Sequence, residues 1–274
     1  MPFPLIDATH EPSENLKASM IDLRHWSLAL ILSLATSVGA LLAGHAEPVG
    51  LTVLIALLGL GLIAATRGTI APMIAAIVIG LGVILTLHLW PGFDNPPLWE
   101  SRRFCRDCLP HSLYLSVDQA LLVAAWLPLV IGRWRTARPI SLLTAGLATI
   151  AAAITLGIAT GLLRWQPAWP GLWLLTLFAV ANLVTVAAEE VLFRGLLQRH
   201  LLARLGATHA WWLTAVLFGL AHLPFGIDFA AVATVAGLGY GWVAWRSGSL
   251  WPAIVLHWLI NLLHFSLFSY PMLA

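Results

Sequence analysis

The sequence predicts an all-α fold, a polytopic bundle of membrane helices, on three observations. Of its 274 residues, 60% are apolar and only 9% charged, with a mean hydropathy of +0.89. A soluble domain usually carries about 25% charged residues. Nine apolar runs follow one another along the chain, most of them long enough to enter a bilayer. The Lys and Arg residues sort unevenly between alternate joints, as loops on two sides of a membrane do. A net charge of +2, with no basic cluster or aromatic-rich binding motif, argues against a nucleic-acid partner.

Residues 1–25 read as a solvated cytoplasmic tail of mixed charge, with Asp7, Glu11, Glu14, Lys17, Asp22 and Arg24. The first apolar run, Trp26–Ala43, is longer than a usual signal-peptide core and is read as an uncleaved anchor. Runs follow at about Val49–Thr66, Ile70–Leu89, Leu115–Ile131, Ile140–Leu163, Gly171–Ala188, His209–Leu223, Phe229–Trp245 and Leu250–Phe268. Several are near the lower limit of about 17 residues for a span, so the count is about nine, or eight if one run stops short. Trp90, Trp134, Trp165, Trp169, Trp211 and Trp251 sit near run ends, where interfacial belts place tryptophan.

With the N-terminus cytoplasmic, the inner segments hold ten of the fourteen Lys and Arg, led by Arg133, Arg135 and Arg138. The outer segments hold Arg102, Arg103, Arg106 and Arg164. The expected location is a plasma membrane, such as a bacterial inner membrane, with the C-terminus outside. The long outer loop from Trp90 to Ser112 carries Cys105-Arg106-Asp107-Cys108. A local disulfide or an incidental pair is the favoured reading. A redox pair, or a metal site with His88 and His111, is the sharper alternative. Asp118 is expected to serve the start of its helix.

The chemistry concentrates in the last third. Glu189-Glu190-x-x-x-Arg194 closes a long apolar run, Phe218-x-x-x-His222 ends another, and His257-x-x-x-Asn261 lies within the last. Glu190 and Arg194 are four apart and can pair along a helix, while Glu189 points about 100° away. His257 and Asn261 share a helix face, and Gly237-x-x-x-Gly241 permits close helix approach. Any one of these groups alone would pass as membrane-protein packing. Together, intramembrane ionisable groups on neighbouring spans point to function. His264 fits no pattern and is expected to be structural. His200 and His209 are expected near the cytoplasmic face.

These three motifs in this order resemble the CPBP family, the CAAX proteases and bacteriocin-processing enzymes also called Abi proteins. The likeness extends to Phe193-Arg194-Gly195-Leu196-Leu197 and to Ser247-Gly248-Ser249-Leu250-Trp251-Pro252. It implies a protease core over 166–270, with 26–165 as N-terminal transmembrane helices of unassigned role. It implies a glutamate-type intramembrane endopeptidase acting on a membrane-tethered or lipidated peptide or protein, with no cofactor. Glu189 would be the general base and His222 would hold the attacking water. His257 and Asn261 would stabilise the oxyanion, and Glu190 and Arg194 would order the site.

Two other readings stand beside it. In the first, zinc is held by Glu189, His222 and His257, although no H-E-x-x-H motif is present. In the second, the Glu-Arg-His group is a relay or packing glue in a transporter or scaffold. One check on depth is demanding. If the helix bearing Glu189 stops at Arg194, Glu189 lies near the cytoplasmic face and His222 nearer the other. They meet only if that helix runs on through Leu201, or if the span bearing His222 starts deeper.

Overall fold

The computed structural model describes residues 23–132, 138–167 and 169–274. Most of the N-terminal tail, and Arg133, Trp134 and Arg135, lie outside the described residues. Each apolar run forms a helix: α1 Leu23–Leu42, α2 Thr52–Arg67, α3 Pro72–Thr86, α4 Val117–Val130, α5 Pro139–Ala159, α6 Leu172–Glu190, α7 Arg199–Ala221, α8 Ile227–Ser247 and α9 Trp251–Leu267. Prolines open α3, α5 and α9, where their missing N–H costs nothing, whereas Pro128 lies inside α4. Gly248 ends α8 with φ 71°, a left-handed cap that side chains disfavour.

The protein is a helical membrane bundle. Among the described residues, four helical stretches are long and apolar enough to cross a bilayer: 23–42, 139–159, 172–221 and 227–247. The helices α2, α3, α4 and α9 are shorter, at 14 to 17 residues. An antiparallel hairpin, β1 Pro97–Arg102 with β2 His111–Tyr114, departs from a purely helical fold. It occupies most of the Trp90–Ser112 loop and runs two residues past it, to Tyr114, and Cys105 and Cys108 form a local disulfide across its tip.

The connections alternate between two ends. At the hairpin end, Ala46 bridges Phe93, Arg164 pairs with Asp107 at 3.1 Å, and the C-terminal tail bridges Cys108 through Leu273. At the opposite end Gly132 bridges Ser249, and Leu250 N–H donates to the Ile131 carbonyl at 2.8 Å. The loops that charge sorting groups on one side therefore meet one another.

A core of Leu, Val and Ala side chains joins α1 through α9 in one body. Trp126 is wholly buried, its indole N–H donating to Leu57. Trp211, expected at an interface, instead donates to the Leu238 carbonyl at 2.6 Å from a half-buried position. Packing against α8 outweighs its place near a run end.

The element that sets the site is a long helical hairpin. From Leu172 to Leu205 the helix is unbroken, about 50 Å at ~1.5 Å per residue. It passes through a π-helical segment, Val191–Gln198. At Gly206 (φ 76°, ψ 170°) the helix breaks, and the chain turns back on itself. Twelve residues either side of that glycine, the Arg194 guanidinium lies 4.4 Å from the centre of the Phe218 ring. Glu190 and His222 are each sixteen residues from Gly206, so the two arms bring them level. This answers the depth question with the first of its two solutions: the helix runs on. It also corrects the expectation that Arg194 belongs to an inner loop, because its side chain is sealed inside the bundle.

Candidate active site

The π-helical segment starts one residue after Glu190. In a regular α-helix each step of four residues drifts by about 40° around the axis. Within this segment Arg194 and Gln198, four residues apart, both face α8. Such segments recur at functional sites. Arg194 Nη1 donates to Glu190 Oε1 at 3.0 Å and Nη2 to the Gly237 carbonyl at 3.1 Å. Gln198 Nε2 donates to the Gly241 carbonyl at 2.9 Å.

The small-residue pair on α8 is needed for this arrangement. A Cβ on Gly237 would meet Phe218 at 3.2 Å and Arg194 Nη2 at 3.3 Å; one on Gly241 would meet Gln198 Oε1 at 2.7 Å. The arginine is further held over Phe218 and, at 5.3 Å, over Tyr240, where ring faces attract a cation.

Helix α9 runs antiparallel to α6 and completes the seam. His257 Nδ1 is 3.0 Å from Glu190 Oε1, and Nε2 is 3.7 Å from Glu189 Oε2. One imidazole thus spans both carboxylates. Tyr240 stacks on that ring at 4.4 Å between centroids, with 15° between planes, and fixes its orientation. The Glu190 and Arg194 side chains are fully buried and His257 is 6% exposed, whereas the Glu189 side chain keeps 23%. Of the two carboxylates, only Glu189 is open to a substrate.

The remaining expected residues are placed as follows. Asn261 lies one turn beyond His257 on the same face of α9, and its Nδ2 donates to Asn182 Oδ1 at 3.2 Å. His222 packs against the Phe218 ring at 4.6 Å, and Phe218 meets His257 at 5.6 Å, so that phenyl ring links the two histidines. His222 Nδ1 lies 2.8 Å from the Phe218 carbonyl. A carbonyl only accepts, so Nδ1 carries a proton, and in a neutral ring Nε2 is left with a free lone pair.

Glu189, Glu190, Arg194 and His257 are therefore in one contact group. Asn261 stands a turn away, and His222 is joined through Phe218. Sequence reasoning missed Asn182 and Tyr240. Asn182 lies seven residues before Glu189, on the same helix face, a polar residue in an apolar run; that spacing was a readable signal. Tyr240 carried none beyond sitting within the Gly237–Gly241 step. His264, expected to be structural, meets the Ser269 carbonyl through Nε2 at 3.2 Å. Among the described residues, no three His, Cys, Asp or Glu side chains form a group spaced to hold a metal ion.

A membrane bundle that buries a Glu-Glu-Arg-His group on its central seam, with one carboxylate exposed, has the makings of a membrane-embedded peptidase site. Residues 167–263 match the family model of type II CAAX prenyl endopeptidase Rce1-like proteins. The match falls on the stretch whose motifs resemble the CAAX-protease (CPBP) family and supports a likeness to these peptidases there. No curated protein and no solved structure matches the chain.

Proposed function

We propose that the protein is a glutamate-type intramembrane endopeptidase that cleaves a membrane-tethered or lipidated peptide, of which a prenylated C-terminus is one instance. The observation that carries this reading is His257 spanning Glu189 and Glu190 while Glu189 alone is open. Glu189 takes a proton from a water held by the free Nε2 of His222. The hydroxide attacks the peptide carbonyl, and the tetrahedral oxyanion is met by the second Nδ2–H of Asn261 and by the Nε2–H of a doubly protonated His257, whose Nδ1–H stays on Glu190. Such donors act most strongly where water is scarce. Glu189 then returns its proton to the leaving amine.

Asn182 fixes the Asn261 amide so that its nitrogen, not its oxygen, faces the reacting carbon. Glu190 and Arg194 hold His257 and anchor the helical hairpin to α8. The reaction as written needs no cofactor. The end that bears Arg67, Arg138, Arg199, Arg204 and Arg246 is cytoplasmic in this reading, and the membrane is a bacterial inner membrane. The protease core is 166–270, and the helices of 26–165 support it.

The test is cleavage of a lipid-anchored reporter peptide by the purified protein in vesicles, with and without exhaustive chelation. Cleavage that survives chelation and vanishes in Glu189→Gln supports the reading. Loss on chelation, restored by zinc, would replace it with the metal mechanism. No cleavage by the parent, over a panel of lipidated and leader-type peptides, would favour the relay or scaffold.

A further inference from the structure

The four basic residues on the hairpin side are exceptions to the charge sorting, and the fold brings Arg102, Arg103 and Arg164 to the hairpin. Arg102 and Arg103 line a cavity of about 230 Å³ between the β hairpin, the loop entering α6, the end of α9 and the tail. At ~30 Å³ of liquid per water molecule, it has room for a small headgroup and not for a folded partner. Neither arginine meets a carboxylate among the described residues. Arg102 lies 5.6 Å over the Phe104 ring, and Arg103 Nη1 donates to the Cys108 carbonyl at 2.9 Å. Beside them Arg164 already has its counter-ion, Asp107 at 3.1 Å.

The same cavity borders the start of α6, which has no side-chain cap and no acidic residue in its first turn. Its free N–H groups add positive potential. The other walls mix apolar Trp169, Leu174 and Phe268 with polar Gln166 and Tyr270. Trp165, Trp169 and Trp173 are 60%, 72% and 72% exposed around this end, as a tryptophan belt at the headgroup level would be. Unpaired arginines in such a belt attract anionic headgroups.

We propose that this cavity binds the headgroup of an anionic phospholipid, which staples the hairpin to the neighbouring ends of α6 and α9. The phosphate meets Arg102, Arg103 and the α6 N-terminus, and the glycerol and upper chains lie against Trp169 and Leu174. The site concerns the scaffold and does not depend on the peptidase reading.

The experiment uses the full chain in phosphatidylcholine vesicles, with or without phosphatidylglycerol, and follows thermal unfolding. The parent should melt several degrees higher when phosphatidylglycerol is present. Arg102→Gln with Arg103→Gln should melt somewhat below the parent in phosphatidylcholine alone, having lost the Arg103 bond to Cys108, and should lose most of the rise that phosphatidylglycerol gives. Arg138→Gln with Arg246→Gln, at the other end, should keep it. Should the double variant fail to fold, Arg102→Gln alone gives the same comparison, since among the described residues its side chain meets a ring face and no carboxylate. An equal rise in parent and hairpin variant, or no rise in either, overturns the site. Inorganic phosphate giving the same rise in neutral vesicles would make it a free-anion site and overturn the lipid assignment.

Discussion

Two of the histidine–carboxylate pairs among the described residues do different work. His257 meets Glu190 at 3.0 Å in the α6–α9 seam, and His88 meets Asp118 at 2.7 Å between α3 and α4 at the hairpin end. Distance alone would rank the second pair as the better one. The difference lies in what else each carboxylate touches. Asp118, wholly buried, accepts from the Gln119 N–H at 2.8 Å and from Asn95 Nδ2 at 3.2 Å, and Asn95 Oδ1 holds the Val117 N–H at 2.7 Å. That cluster closes a helix start and leaves no acid open. In the seam, Glu190 keeps one oxygen without a partner, and a second carboxylate, Glu189, stands beside the same imidazole partly exposed. A closed pair stabilises a loop; an open one can do chemistry.

The largest effect that distinguishes them is on turnover. Glu189→Gln keeps size and hydrogen bonding and removes the base, so substrate should still bind while kcat falls by roughly 100- to 10,000-fold. His88→Gln should leave turnover at the parent level. If both variants cut the reporter peptide at the parent rate, openness of the acid is the wrong criterion for a site.

The next effect separates a donor from its support. Asn261→Ala should lower the chemical rate on the order of 100- to 1000-fold with little change in KM. Asn182→Ala should lower it less, since the amide remains but turns freely. Because Asn182 acts through Asn261, adding Asn182→Ala to Asn261→Ala should cost almost nothing further. Effects that multiply would mean that Asn182 has a separate role.

Stability ranks next. Removing one member of a buried ion pair strands the other, at about 3–5 kcal/mol. Glu190→Gln and Arg194→Ala should therefore unfold earlier in denaturant as well as lose activity, and the second should also free α8, whose Gly237 carbonyl Arg194 holds. Parent-like unfolding by both variants would show the pair to be solvated.

Much of this was legible in the sequence. Hydropathy located the nine α-helices among the described residues, because each run is apolar over most of its length. The Glu190–Arg194 pair followed from a spacing of four, and the packing role of Gly237 and Gly241 from theirs. What was not legible depends on where helices end. No rule of composition says that the helix through Arg194 continues to Leu205, since Arg194, Gln198 and Arg199 look like a cytoplasmic loop until Gly237 and Gly241 are seen to accept from the first two. Register across the α6–α9 seam was hidden as well. His257 and Asn261 were readable as one face, but that Asn182 rather than Glu189 faces Asn261 follows only from the antiparallel packing. The cluster at Asp118 was half visible: the acid at a helix start could be read, its buried state and its partners His88 and Asn95 could not.

The smallest effect tests the closed pair directly, through pH. The Asp118 carboxylate raises the pKa of His88 above its ordinary 6.5, mainly through their hydrogen bond, against a smaller opposing effect of burial. A raised value means that the folded state holds the proton more tightly. The stabilisation is then complete below about pH 6.5 and is lost as pH rises through the raised value. The His88 side chain is 44% exposed, so solvent weakens the effect to about 1 kcal/mol or less. His111 slopes the other way: burial lowers it to about 4, so its share of stability fades as pH falls from 6.5 toward 4. Parent and His88→Gln share His111, and the difference between their unfolding curves removes it. That difference should be level at acid pH and shrink on the alkaline side of 6.5, with turnover alike in both. A difference that grows as pH rises would mean that the pair is held with His88 neutral, and the closed site would then be a hydrogen-bond cluster and not an ion pair.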